Sequence, residues 1–249
     1  MGKIIRYECR RLLCNKFFAG LLLVTLFYGW QTLTGATILG VSHTAPFSPW
    51  SFGDHLSRML PLLWLGALFF LTFFTSEKAR RTAVLTDAAP MSPRRYAMAR
   101  CSAALAGTGL LVLACLAEAA VFYGRYFGWY GWETLLSPAL AVLVPSLVFA
   151  LGSGWALGCV RPWLIFLWMP LPALLAALPL PEPLGLWNGS LFAQRPLALG
   201  TLDPAFSLPA GPLAVQCALF LAGVALLAAC PAGRRPHGAA SPRGRTESV

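Results

Sequence analysis

The chain has 249 residues, of which 57% are hydrophobic and only 11% charged, and its mean hydropathy is +0.67. Soluble domains average about 25% charged residues, so this chain has too little polar surface to be one. The net charge of +10 does not indicate nucleic-acid binding, because the Lys and Arg residues separate apolar segments instead of lining a water-exposed face. We therefore expect an integral membrane protein.

The first sixteen residues, MGKIIRYECRRLLCNK, predict an amphipathic helix that lies at the membrane interface. Its apolar stripe consists of Ile5, Cys9, Leu12 and Leu13. Its basic residues are Lys3, Arg6, Arg10 and Arg11. We do not expect a cleaved signal peptide, because no pair of small residues of the cleavage type follows the apolar run that begins at Phe17.

Charge-poor runs predict an all-α fold, a polytopic membrane protein with six transmembrane helices. A helix of about 20 apolar residues suffices to cross a bilayer. The predicted spans lie near 17–41, 59–76, 98–124, 134–160, 162–181 and 211–231. The fifth of these contains five prolines. The predicted organisation is an interfacial helix (1–16), a transmembrane domain (17–231) and a disordered basic tail (232–249).

The distribution of basic residues predicts which side each loop occupies. With the N-terminus in the cytoplasm, sixteen of the nineteen Lys and Arg residues fall on the inner side, as the positive-inside rule requires. Most Trp and Tyr residues of the loops then fall on the outer side, where such rings prefer the headgroup layer. We therefore expect both termini in the cytoplasm of a bacterium and the chain in its plasma membrane.

Glu118 is the acidic residue inside a predicted span. It follows Arg100 by eighteen residues, about 27 Å of helix, which places it near the outer boundary of a hydrocarbon core about 30 Å thick. Two interpretations stay open: an interfacial acid that reaches water, or a contact in a translocation path.

Other polar motifs give weaker predictions. His43, Asp54 and His55 share an outer loop, but no metal-ligand spacing connects them, and we expect Asp54 and His55 to be solvated at a helix start. Gly154 and Gly158 form a GxxxG motif, preceded by Gly152, which allows helices to pack closely within the chain or between copies. The seven cysteines include no CxxC pair, so we predict no metal and no cofactor.

The stretch SEKARRTAVLTDAAPMSPRRYAMAR (76–100) lies between the second and third spans and contains six basic residues. It predicts a cytoplasmic helix of about eleven residues, stopped before Pro90, and a new helix that begins at Ser92 and Pro93. A loop that only fixes topology needs charge but no such helix and turn. We therefore predict that this stretch binds a cytoplasmic partner.

The pattern E-x-x-R-R-T-x-x-x-L-T-D-A-A-P-M-S-P-R-R-Y resembles the loop after the second span in permease subunits of type-2 ABC exporters. The basic N-terminal segment is similar to theirs as well. In that family the loop forms a coupling helix that docks on a separate ATPase subunit. The resemblance implies this role for Glu77, Arg80, Arg81, Leu85, Thr86, Asp87 and Pro90.

The resemblance also implies the partners: a separate ABC ATPase and a second permease copy, in a homodimer or a heterodimer, surrounded by lipid. No lysine stands in the phosphate-loop pattern G-x-x-x-x-G-K-[ST], so the chain is predicted not to be an enzyme with its own nucleotide site. Two alternatives stay open. One is a structural or regulatory subunit that anchors a cytoplasmic partner, and the other is a small membrane enzyme with an outer-face site at His43, Asp54 and His55.

Overall fold

The computed structural model describes residues 2–75 and 93–229. Over these residues the chain is helical and contains no strand. Its five long helices are α2 (Lys16–Gly35), α3 (Pro49–Thr75), α4 (Pro93–Phe127), α5 (Trp132–Val160) and α10 (Ala210–Ala229). Its shorter α-helices are α1 (Gly2–Leu13), α6 (Leu164–Trp168), α7 (Leu171–Ala177), α8 (Gly185–Asn188) and α9 (Ser190–Leu199).

Each of the five long helices is long and apolar enough to cross a membrane. The first of them, α2, begins where the Asn15 side chain accepts a hydrogen bond from the Phe17 backbone N–H at 3.2 Å, which caps the helix. The prediction of an all-helical, polytopic membrane protein is confirmed at this level.

Helix α3 begins ten residues before the predicted start at residue 59. Its first three turns contain Asp54 and His55, which are 5% and 0% exposed. The expectation that these two residues are solvated at a helix start is therefore wrong. Polar side chains in this segment suggested a loop, but the fold gives them partners inside the bundle.

Helices α2, α3 and α4 form one half of the bundle. Helix α3 runs antiparallel to α2, since Phe18 packs on Phe70 with ring centroids 5.8 Å apart, while Thr32 bonds His55 near the other end. Helix α4 runs parallel to α2, with Trp30 packed edge-on against Phe122 at 5.8 Å.

Helices α5 and α10 form the other half, and both run parallel to α3. Along α5, Phe149 packs on Trp64 of α3 with ring centroids 6.1 Å apart, and Gly158 faces Thr75 at the end of α3. Helix α10 crosses α5 where Gly223 lies against Gly152, so closely that a Cβ on either glycine would overlap backbone atoms of the other helix. The glycines of α5 are thus packed against partners within the chain.

The predicted fifth span, 162–181, is not a single helix. It consists of α6 and α7, five and seven residues long, separated at Met169 and Pro170. Proline lacks the N–H donor and its ring clashes with the preceding turn, so repeated prolines prevent one continuous helix.

This broken segment nevertheless runs back along the length of α3. At the end of α3, Ile165 and Thr75 both pack against Gly158. Farther back along α3, the Trp168 carbonyl accepts a hydrogen bond from Trp64 Nε1 at 3.4 Å. Near the start of α3, Gly189, which follows this segment, lies against Asp54. From Thr75 to Asp54 is about 31 Å of helix at about 1.5 Å per residue. The return allows α10 to start at the same end as α5.

The two ends of the bundle differ in their side chains. The aromatic end, which we define by Trp50, Phe192 and Phe206, joins the start of α3 to the segment after α9. The Trp50 and Phe206 rings are 5.1 Å apart, and Trp50 Nε1 donates to the Pro204 carbonyl at 2.7 Å. The opposite end, which we call the basic end, contains α1, the end of α3 and the start of α4. The expected outer side corresponds to the aromatic end.

Candidate functional site

The residues predicted to dock on an ATPase lie outside the described ranges. These are Glu77, Arg80, Arg81, Leu85, Thr86, Asp87 and Pro90, and their role stays a prediction. The two helices that flank them are linked by a hydrogen bond, which Arg100 Nη1 of α4 donates to the Phe74 carbonyl of α3 at 3.4 Å. The predicted tail, 232–249, also lies outside the described residues.

The N-terminal segment forms a helix, α1, that packs on α4 at the basic end. Leu12 is 2% exposed and contacts Gly107, where Phe70 also packs. Glu8 is on the same face and equally buried, and Arg11 Nη1 lies 3.7 Å from its Oε2. The predicted basic residues Arg6, Arg10 and Arg11 are exposed, and the side chain of Lys3 is not among those described. Whether α1 lies at the membrane interface stays a prediction.

Sequence reasoning missed a group of polar side chains on α2, α3 and α4, which we call the polar cluster and define as Thr32 of α2, His55 of α3, and Glu118 and Tyr123 of α4. His55 and Tyr123 are fully buried, and Thr32 and Glu118 are partly buried. The Thr32 hydroxyl donates to the Gly29 carbonyl at 2.8 Å and lies 3.1 Å from His55 Nδ1. Because its hydrogen is used toward Gly29, the hydroxyl accepts the Nδ1–H of His55. The other ring nitrogen, Nε2, is buried and has no hydrogen-bond partner among the described residues.

Glu118 faces α2 instead of projecting into the loops. Its Oε2 occupies the space beside Gly29 that any other side chain would fill, and the Met59 methyl group lies at the edge of the same space. Gly29 is six residues before the end of α2, about 9 Å of helix, so this oxygen lies below the aromatic end. Oε2 is buried without a hydrogen-bond partner among the described residues.

Tyr123 completes the cluster from the side of α4. Its ring is fully buried, packs on Phe52 with centroids 6.3 Å apart, and its hydroxyl has no hydrogen-bond partner among the described residues. Cys115, eight positions earlier on α4, is fully buried as well.

The cluster contains one imidazole, one carboxyl group and two hydroxyl groups, contributed by the three helices α2, α3 and α4. Such polar groups are costly inside a membrane and mark functional sites more often than structural ones. Sequence could have suggested it only through spacing, since Phe52, His55 and Met59 fall on one face of α3 at helical intervals.

The structure gives different surroundings to the three residues of the alternative outer-face site, His43, Asp54 and His55, and a catalytic role for them stays a prediction. Asp54 Oδ2 accepts a hydrogen bond from Arg58 Nε at 2.8 Å, and His55 is committed to Thr32. His43 is exposed on a turn with φ 66°. Within residues 2–75 and 93–229, no group of three His, Cys, Asp or Glu side chains could hold a metal ion.

A second feature is a groove of about 400 Å³ between α5 and α10. Apolar side chains such as Val144 and Phe220 line it, and Gln216 is its polar residue. Gln216 is 3% exposed, so its amide lies at the base of the groove instead of at the rim.

No protein-family model, no curated protein and no solved structure matches this chain.

Proposed function

We propose that this chain is the permease subunit of an ATP-binding-cassette exporter, coupled to a separate ATPase through the loop between α3 and α4. The observation that carries the proposal is the sequence of that loop, EKARRTAVLTDAAPMSPRRY, with its basic pair, its Leu-Thr-Asp turn and its capped restart. The hydrogen bond from Arg100 to the Phe74 carbonyl supports it, because this bond links α4 to α3. A displacement of the loop would therefore move both helices together.

We further propose six membrane crossings with both termini in the cytoplasm. The shared direction of α5 and α10 supports this, since parallel neighbours require the chain between them to cross back. The segment that contains α6 and α7 would be that crossing, in broken form. Its irregular backbone is packed against α3 and α5, which is the condition under which such a backbone is tolerated at membrane depth.

The energy source would be the partner. The sequence has three lysines, Lys3, Lys16 and Lys78, and none stands in a phosphate-loop motif. Two permeases and two ATPases would assemble, with the transport path between the permeases. Exposed apolar side chains of α2 and α10, such as Phe27 and Leu221, would face lipid or the second copy.

The test is charge reversal in the loop. Arg80→Glu together with Arg81→Glu should abolish copurification with the proposed ABC ATPase partner and abolish stimulation of its ATP hydrolysis. The matched control is Arg243→Glu with Arg245→Glu, which makes the same charge change in the tail and should leave both unchanged. A cysteine at Ala83 should crosslink to the ATPase. Retention of binding and stimulation in the loop variant would refute the proposal.

A structural or regulatory subunit that anchors a partner through the same loop is the second candidate. The sequence of the loop supports an anchoring subunit as well as a permease. Stimulation of the partner's ATP hydrolysis distinguishes these two candidates. An anchor would lose its partner in the loop variant, but the wild type would neither stimulate ATP hydrolysis nor move cargo across vesicle membranes.

A further inference from the structure

We infer that Glu118 is a proton-binding site, in which its carboxyl holds a proton against the backbone of α2. The ligand is the proton itself. This inference does not rest on the proposed transport function, since it follows from the surroundings of Glu118 alone.

The first step is that no cation neutralises Glu118. On α2 its Oε2 lies beside Gly29, and on α3 the Met59 methyl group lies at the edge of the same space; neither residue titrates. On α4 the nearby titratable groups are Cys115 and Tyr123.

The basic residues of this region do not form an ion pair with Glu118 among the described residues. Arg58 is half-exposed and paired with Asp54, while Arg125 is exposed two turns beyond Glu118. A carboxylate at this depth without a counter-ion is costly, and binding a proton removes the charge.

The second step is that Glu118 Oε2 is itself buried and has no hydrogen-bond partner among the described residues. A protonated carboxyl carries no charge, so it tolerates such surroundings better than a carboxylate does.

The third step links the proton to the packing of α2. Gly29 leaves room for the carboxyl directly against the α2 backbone. A neutral carboxyl fits this space, whereas an ionised one must attract water or a cation and therefore separate α2 from α4. The site would couple proton occupancy to the contact between these helices.

Infrared spectroscopy of the full-length chain in lipid nanodiscs at neutral pH tests the inference. We expect a C=O stretching band of a protonated carboxyl group, which Glu118→Gln removes. The matched control Glu133→Gln, at an exposed acid in the first turn of α5, should leave the band in place. Absence of the band from the wild type, or its persistence in Glu118→Gln, would overturn the inference.

Thermal unfolding as a function of pH gives a second measurement. Between the ordinary Glu pKa of about 4.3 and the pH at which the folded carboxyl ionises, the folded chain holds a proton that the unfolded chain releases, so wild-type stability should fall as pH rises from about 4.3 towards neutral. Glu118→Gln should lack this part of the fall. Equal pH dependence of the two proteins would contradict the inference. So would specific stabilisation of the wild type by sodium or ammonium ions, because that result would mean an ionised carboxylate that binds a cation.

Should Glu118→Gln fail to fold, Gly29→Ala gives an independent test. It leaves Glu118 in place and puts a Cβ into the space that Oε2 occupies, so the protonated-carboxyl band should shift in frequency or disappear. A band of unchanged position and intensity would contradict the placement of this carboxyl against α2.

Discussion

The two halves of the bundle hold their helices together by different means. Between α2, α3 and α4 the contact includes hydrogen bonds and polar atoms, from Thr32 to Tyr123. Between α5 and α10 it depends on Gly152 and Gly223, whose missing side chains let two backbones meet. In lipid there is little hydrophobic drive for helices to associate, so close packing and polar contacts are the available sources of stability. The contact between α5 and α10 is therefore fixed by backbone packing. The contacts among α2, α3 and α4 include the Glu118 carboxyl, so they can respond to its protonation.

The largest effect is expected at the glycine contact. In Gly223→Leu the new Cβ would overlap backbone atoms of Val148 and Phe149, which cannot move aside without bending α5. We expect a loss of more than about 3 kcal/mol, enough to prevent accumulation of folded protein. The yield of monodisperse protein in detergent measures it. Gly20→Leu is the control, since nothing lies within 4 Å of that Cβ; equal yields would refute the role of the glycine contact.

A smaller loss is expected at His55. His55→Ala removes a fully buried ring that stacks on Phe52 with centroids 6.2 Å apart and bonds Thr32. The cavity and the lost hydrogen bond should cost about 2–3 kcal/mol. Unfolding by sodium dodecyl sulfate in mixed micelles gives the value. The exposed His43→Ala should change stability by less than about 0.5 kcal/mol, and a similar loss in both would contradict the burial of His55.

Thr32→Val isolates the hydrogen bonds of the polar cluster while nearly preserving volume. The hydroxyl lies between the Gly29 carbonyl and His55 Nδ1, so its removal leaves the buried nitrogen without that partner. We expect a loss of about 1–2 kcal/mol, measured by the same unfolding. Thr134→Val is the matched control, because the Thr134 hydroxyl donates to a local carbonyl at an exposed helix start. An equal loss of stability in both variants would mean that the hydrogen bonds of Thr32 contribute no more than an exposed one.

The smallest effect is expected at the basic end. Arg11→Ala removes a half-exposed partner of Glu8 at 3.7 Å, and such pairs are screened by water and salt. We expect less than about 0.5 kcal/mol in the same unfolding measurement. A much larger loss would mean that the contact of α1 with α4 depends on this pair instead of on the packing of Leu12.

Hydropathy predicted the long helices well where an uninterrupted apolar run made the signal local, as in α2, α5 and α10. It failed at the start of α3, because Asp54 and His55 are polar in sequence and their burial depends on partners such as Gly189 and Thr32. It also predicted one helix where Pro170 separates two. The depth of Glu118 was judged from its distance along α4, but the space that receives its carboxyl is made by a glycine ninety residues earlier.

The common direction of α3, α5 and α10 has an electrostatic consequence. Three long helices end at the basic end and two begin there, so one helix macrodipole is left uncompensated, with partial negative charge on the terminal carbonyl groups. Arg100 already binds such a carbonyl, that of Phe74, and Arg161 follows the last turn of α5. Positive side chains at this end are therefore favourable to the folded bundle itself, in addition to any part that they take in orienting it in a membrane.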